Sequence, residues 1–319
     1  MITVQGAGVL GLCIATELRA RGVPVQIAAR PPGPEACSWY AGGMLAPFCE
    51  GETAEEPVLR LGQEAVDWWA AAGVPVTRRG TLVISPARDR ADLERFARRT
   101  THHRRVTGED IAALEPALAG RFREGLFFEG EAHLSPRTAL SHLVARLTEG
   151  GVRFDAPLDG RIVDTRGRSA RDRLPDLRGV RGEMVVLRCP EVTLTRPLRL
   201  LHSRIPLYLV PRGDGIYMLG ATMVESGATG PITARALLEM LSAAYALHPA
   251  LAEGEVIETG ANARPAFPDN LPRLRRIGGT LFANGLHRHG FLLAPAMARM
   301  AADHLTQGTI PEFMDEHHD

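Results

Sequence analysis

The sequence predicts a mixed fold, part α/β and part α+β, and three observations predict it. Residues 1–30 read as strand, glycine turn, helix and strand; residues 280–305 read as strand, glycine turn and helix; and short alternating strands with a hairpin lie between them. The first and last patterns are those of a parallel sheet covered by helices. At 319 residues the chain exceeds the usual single-domain size and can bury a sizeable core, so two interleaved domains are expected.

The opening unit is the most explicit. Ile2-Thr3-Val4 is a short β-prone run, Gly6-Ala7-Gly8-Val9-Leu10-Gly11 follows at once, residues 9–21 have the small and apolar content of a buried helix, and Gly22 stops it. Such a turn suits a dinucleotide. Gly6 leaves the strand sharply, Gly8 lets a pyrophosphate approach the backbone, and Gly11 lets the helix pack closely, with the pyrophosphate on free N–H groups at the positive helix end. The second strand, 23–28, should end in Asp or Glu to hold a ribose hydroxyl, but the chain reads Ala28-Ala29-Arg30. The ribose contact is therefore expected to differ.

Basic and acidic residues number 37 each, which removes the electrostatic case for nucleic acid or anionic membrane as the main partner. Cys13, Cys37, Cys49 and Cys189 match neither zinc nor CxxC spacing and read as free thiols in a reducing compartment. No metal site is expected. The first strand begins at residue 2 and no apolar run approaches the about 18 residues of a membrane span, so a soluble cytoplasmic protein is expected.

After a Pro/Gly loop at 31–35 comes Cys37-Ser38-Trp39-Tyr40-Ala41-Gly42-Gly43-Met44-Leu45-Ala46-Pro47. Small residues there let backbone run against a flat ligand; a merely flexible loop would carry more Ser, Asn and Asp. Helices are expected over 56–72, 89–100, 108–114, 138–149, 233–246 with Thr233 as cap, and 296–305 with Pro295 in its first turn. Strands are expected at 80–85, 125–128, 152–158, 161–165, 183–187, 192–194 and 280–283, and a hairpin at 207–211 and 216–221 turns on Arg212-Gly213-Asp214-Gly215. The arginine-rich stretch 166–181 reads mainly as a solvated loop.

Taken together, Gly6–Gly11, residues 38–47, the hairpin from Tyr208 to Met223, Arg264-Pro265-Ala266-Phe267-Pro268-Asp269 and residues 285–295 resemble the D-amino acid oxidase superfamily of FAD enzymes, and within it the glycine oxidases of thiamine biosynthesis. The resemblance implies a Rossmann-like FAD-binding domain assembled from 1–80, 130–185 and 265–319, with an interleaved antiparallel-sheet substrate domain from 81–129 and 186–264. It implies oxidation of a small amine such as glycine or sarcosine to an imine, with hydride passing to flavin N5 and oxygen reoxidising the flavin to give hydrogen peroxide. A dehydrogenase using another electron acceptor, or a flavin-binding protein without turnover, are the alternatives. A homo-oligomer is compatible with either.

Arg264 is the candidate for the substrate carboxylate, because a planar guanidinium binds it in a bidentate pair and Pro265 forces extended backbone. The alternative is a structural arginine paired with Asp269 or a backbone carbonyl. By resemblance Tyr208 reaches the same carboxylate, Met223 walls the pocket and Arg288 serves substrate or flavin. His202, His287 and His289 are available, but no general base is required if the bound amine is neutral. By resemblance the FAD contacts fall to Gly6, Gly8, Val9, Leu10 and Gly11, to Ser38, Ala41, Gly42, Gly43, Met44 and Leu45, and to Gly285, His287, Arg288, His289, Gly290, Phe291 and Leu292. Arg30, Thr165 and Gly167 are expected to hold the adenosine half in place of the missing acid. The start of the last helix, near 292–296, is expected to aim positive charge at the flavin pyrimidine.

Overall fold

The computed structural model describes residues 1–201 and 207–316; His202 lies outside them. Two sheets organise the chain. The first has six strands in the order Met314–Glu316, Arg273–Ile277, Thr280–Asn284, Arg161–Asp164, Ile2–Gln5 and Val25–Ile27. Its four strands from Thr280–Asn284 to Val25–Ile27 are parallel. Ile2, Val4, Val25, Ile27, Val163, Leu281 and Ala283 turn to the helical core, while on the opposite face the buried Gln26 amide donates to the Thr3 hydroxyl at 3.1 Å. The helices Val9–Ala20 and Gly290–Gln307 pack on each other in that core, and Pro136–Glu149 joins them.

The second sheet runs Val224–Glu225, Arg178–Arg188, Ile216–Gly220, Leu207–Gly213, Leu198–Leu200, Thr81–Ile84, Glu124–Phe128 and Arg104–Thr107, with Glu255–Ala266 on the other side of Arg178–Arg188. It is antiparallel apart from the pairing of Leu198–Leu200 with Thr81–Ile84. The helix Ala234–Leu247 closes its second core, begun by the Thr233 hydroxyl accepting the Ala236 N–H at 3.2 Å. Among the described residues no helix is long and apolar enough to cross a membrane.

Several expected elements are corrected. The helix over 56–72 is two, Glu56–Gly62 and Ala65–Ala71, because Gly62 ends the first where a Cβ would meet Leu292 Cγ at 2.8 Å. Residues 152–158 are irregular: they bond to the second strand through the Ile27 and Ala156 amides, and Asp155 has φ 53°. Residues 192–194 form no strand; Leu198–Leu200 does. The stretch 166–181 is not mainly solvated, since Arg178–Arg188 is a long strand whose Arg181 is buried on Glu183 at 2.9 Å. The last helix begins at Gly290, so Pro295 lies inside it. Proline has no N–H for the Phe291 carbonyl one turn earlier, and the Trp69 indole N–H donates to that oxygen instead, at 2.8 Å.

Candidate active site

Between the two sheets lies a cleft of about 410 Å³ into which both glycine turns open. At its Ile2–Gln5 end, Gly6 has φ 116°, and a Cβ on it would stand 2.8 Å from the Thr165 carbonyl oxygen. A Cβ on Gly11 would stand 2.1 Å from the Gly6 carbonyl oxygen. Both positions need bare backbone, one for the turn and one for the helix seated on it. The Thr165 hydroxyl ties the turn down by donating to the Gly6 carbonyl at 3.1 Å. Gly8 differs, because a Cβ there would meet only Ser38 Oγ at 3.5 Å; its backbone faces the cleft. The Val9 N–H donates to that same hydroxyl at 3.0 Å, so Ser38 joins the small-residue run to the helix start.

Of the residues singled out in the sequence, Gly6, Gly8, Val9 and Leu10, then Ser38, Ala41 and Gly42, then Thr165 and Gly167 line the cleft, as do Gly285, His287, Arg288, Gly290 and Phe291 at its far end. Gly11, Gly43, Met44, Leu45, His289 and Leu292 stand behind this lining. Met44 and Leu45 pair with Ala132–His133, and a Cβ on Gly43 would stand 2.3 Å from the Leu134 carbonyl oxygen. Arg30 is turned to solvent, its side chain 86% exposed and 3.7 Å from Asp155. An acid does reach the cleft near the missing ribose contact: Glu35, which also accepts the Gly33 N–H at 2.9 Å. Its signal in the sequence was a carboxylate in the loop after Ala29.

Sequence reading also passed over Arg212 as a hairpin-turn residue. Its guanidinium is the clamp on the small-residue run, donating to the carbonyls of Ala41 at 3.2 Å, Gly42 at 2.8 Å and Leu134 at 3.1 Å. Arg212→Met leaves three carbonyls without this donor and is expected to lower stability by about 2–3 kcal/mol. Thermal unfolding checks this: an unchanged Tm would mean that water or another donor replaces the clamp.

At the substrate end, Arg264 occupies the end of the strand Glu255–Ala266, and its guanidinium lies flat on Gly182 of the neighbouring strand, where a Cβ would stand 2.1 Å from Nη2. Among the described residues its guanidinium donates to the Thr222 carbonyl, at 3.1 Å. Asp269 binds Arg273 instead, and no carboxylate among the described residues pairs with Arg264. Arg288 is engaged: Nη2 lies 2.6 Å from Glu50 Oε2 and 2.6 Å from Thr53 Oγ1. The Tyr208 phenol donates to Glu50 Oε1 at 3.0 Å and stands outside the cleft lining. Met223 is 56% exposed, its sulfur 3.7 Å from Arg288 Nη1, and it too stands outside the lining. The structure thus gathers Tyr208 and Arg288 around Glu50, with Met223 against Arg288, and leaves Arg264 facing the cleft without a carboxylate partner among the described residues.

The model of the family described as DAO, FAD dependent oxidoreductase, matches residues 1–156 and 156–304. The chain belongs to this family. A Rhizobium etli protein that carries the name of the thiamine biosynthesis oxidoreductase ThiO is 54% identical over 98% of both chains. The glycine oxidase of Pseudomonas aeruginosa is 27% identical over 95% of this chain and 93% of its own. In fold, the iminodiacetate oxidase of Chelativorans sp. BNC1 superposes with a TM-score of 0.83 at 23% identity, covering 99% of each chain.

Like its family, the enzyme is an FAD-dependent oxidoreductase. The residues present fit that cofactor. The cradle at Gly6 and Gly11 is one that a Cβ would fill, and the helices Val9–Ala20 and Gly290–Gln307 carry no acid in their first turns to oppose a phosphate or an anionic ring. The titratable groups nearby are fixed in one state at neutral pH. Burial brings His287 down to about 3, helped by His289, Arg264 and Arg288, and brings His289 down to about 4, so both rings are neutral. Burial would raise the Glu50 carboxyl, but Arg288, Arg199 and the Tyr208 phenol bring it down to about 2. Burial, with the Glu50 charge beside it, pushes the Tyr208 phenol well up, so it stays a donor.

Behind Glu50 lies Glu131, which accepts the Cys49 N–H at 2.7 Å and which burial raises to about 8. The unfolded chain loses this proton near pH 4.5 and the folded chain keeps it to about 8. Between those values the folded state binds more protons, so the group makes stability fall as pH rises, by about 1.4 kcal/mol per unit. Glu131→Gln is expected to remove that component. Urea unfolding at pH 5 and pH 8 measures it, and parallel losses in both proteins would contradict the assignment.

Proposed function

We propose that the enzyme oxidises a small amino acid, glycine first and sarcosine beside it, to the imine, and that this imine serves thiazole formation in thiamine biosynthesis. The observation that carries the reading is Arg264: a half-buried guanidinium facing the cleft, laid against Gly182 and with no carboxylate partner among the described residues. A half-buried cation of this kind is stabilised by an anion, and the carboxylate of an amino acid matches its planar fork. The names of the relatives support the same substrate and pathway.

FAD supplies the two-electron acceptor. The side chains do the rest by placement: Arg264 holds the carboxylate, Met184 and Met218 make an apolar wall that keeps water from the reacting carbon, and neutral His287 and His289 add no competing charge. With the amine neutral, its lone pair becomes the C=N bond as the α-carbon gives up hydride, and no side chain need take a proton from carbon. Dioxygen is the proposed reoxidant, giving hydrogen peroxide, and free imine hydrolyses to glyoxylate and ammonia.

The proposed division of labour assigns 1–80, 130–185 and 265–319 to the cofactor and 81–129 and 186–264 to the substrate. The strands Arg178–Arg188 and Glu255–Ala266 run across two of those joints and tie the parts together. Aerobic incubation with glycine is expected to yield glyoxylate and hydrogen peroxide in equal amounts. Neither product, from protein with its full flavin, would sink the reading.

A further inference from the structure

Arg264 and Arg288 line the cleft and Arg199 is set outside the lining against Tyr208; Arg199 and Arg288 are already paired. Arg199, buried beneath the Tyr208 ring, pairs with Glu52 at 2.5 Å. Arg288 pairs with Glu50 at 2.6 Å. Arg264 has no carboxylate partner among the described residues, and the two nearby histidines are neutral. Arg288 and Arg264 line the same cleft, close enough that each feels the other's charge.

We infer that Glu50 is a specificity-determining residue: by pairing with Arg288 it leaves Arg264 as the one unpaired guanidinium of these two, so this end of the cleft accepts a ligand with one carboxylate and turns away a ligand with two. The inference deepens the proposed function and rests on it for the view that Arg264 receives the carboxylate. Glu50 suits the task because it is held on both sides. One oxygen takes the Tyr208 phenol at 3.0 Å and the other, without a hydrogen bond among the described residues, lies in ion-pair contact with Arg288 at 2.6 Å, which keeps the carboxylate beside that guanidinium. A second ligand carboxylate would then find Arg288, which lines the cleft, already paired with the Glu50 charge behind it. Removing the Glu50 charge reverses this. Arg288 becomes a second receptor beside Arg264, and Glu50→Gln still offers Tyr208 an amide oxygen.

The test uses flavin-loaded enzyme and two probes of similar size, acetate and malonate, with dissociation constants measured by calorimetry at neutral pH. Wild type is expected to bind acetate more tightly than malonate. Glu50→Gln is expected to tighten malonate relative to acetate by about tenfold or more, the scale of one charge-assisted pair. Glu50→Asp, which keeps the charge, should hold the wild-type order. Wild type preferring malonate would overturn the inference without any variant, and so would Glu50→Gln with full flavin and an unchanged ratio. Flavin reduction by glycine is followed in the same preparations. Reduction with an unchanged ratio defeats the role of Glu50 alone, whereas a shifted ratio without reduction defeats the proposed reaction alone.

Discussion

Replacing Arg264 with methionine is expected to lower kcat/KM for glycine roughly a hundredfold to a thousandfold, mostly through KM, while flavin content and Tm stay near wild type. The size follows from losing a desolvated charge-assisted pair, worth about 2–5 kcal/mol. Flavin and fold should survive because among the described residues the guanidinium makes a single hydrogen bond, to the Thr222 carbonyl, and methionine can lie along Gly182 in its place. Steady-state kinetics on the purified holoenzyme decide it. Loss of flavin with loss of activity would mean that Arg264 is structural, and unchanged kinetics would remove it from the site.

Adding one methyl group at Gly11 is expected to abolish flavin binding and lower stability together, whereas the same addition at Gly8 should weaken flavin alone. On Gly11 the methyl would stand 2.1 Å from the Gly6 carbonyl oxygen and 2.6 Å from Thr165 Oγ1, so helix and turn must separate. Overpacking of this kind costs about 1–3 kcal/mol or more, and here it also spoils the cradle. On Gly8 the only near neighbour is Ser38 Oγ at 3.5 Å, so the methyl fits the fold and intrudes on the cleft. Tm and FAD titration of Gly11→Ala and Gly8→Ala separate the two. Equal losses of stability in both would contradict this difference in role.

What the sequence made legible was local. The opening strand, turn and helix, the Leu207–Gly213 and Ile216–Gly220 hairpin and the capped helix Ala234–Leu247 depend on neighbours along the chain, and they appear with small shifts at their ends. The strand expected at 183–187 begins earlier, at Arg178, and that first part was hidden because its arginines read as solvent-loving, while the structure pairs Arg178 with Glu225 and Arg181 with Glu183. The helix start at Gly290 was hidden because the donor that makes Pro295 tolerable is Trp69, from a distant helix.

The cleft was legible in the same uneven way. Its glycines and Arg264 carry their purpose in their own chemistry. Glu50, by contrast, is one acid among many until Tyr208, Arg288 and Arg199 converge on it from three other segments. Tyr208 was read as a substrate contact and Arg288 as serving substrate or flavin, and the structure shows each engaged with Glu50, so their charge and hydrogen bonds are partly spent before a ligand arrives. Arg212 was missed for a similar reason: its three carbonyl partners lie in two segments remote from the turn that displays it.

The most direct measurement is anaerobic titration of the purified holoenzyme with glycine, followed by the flavin absorbance near 450 nm. Bleaching that saturates with glycine, is repeated by sarcosine and is reversed by admitting air is the expected result. Flavin that stays oxidised at high glycine, in protein that dithionite reduces normally, would contradict the reading of the cleft as an amino-acid oxidation site.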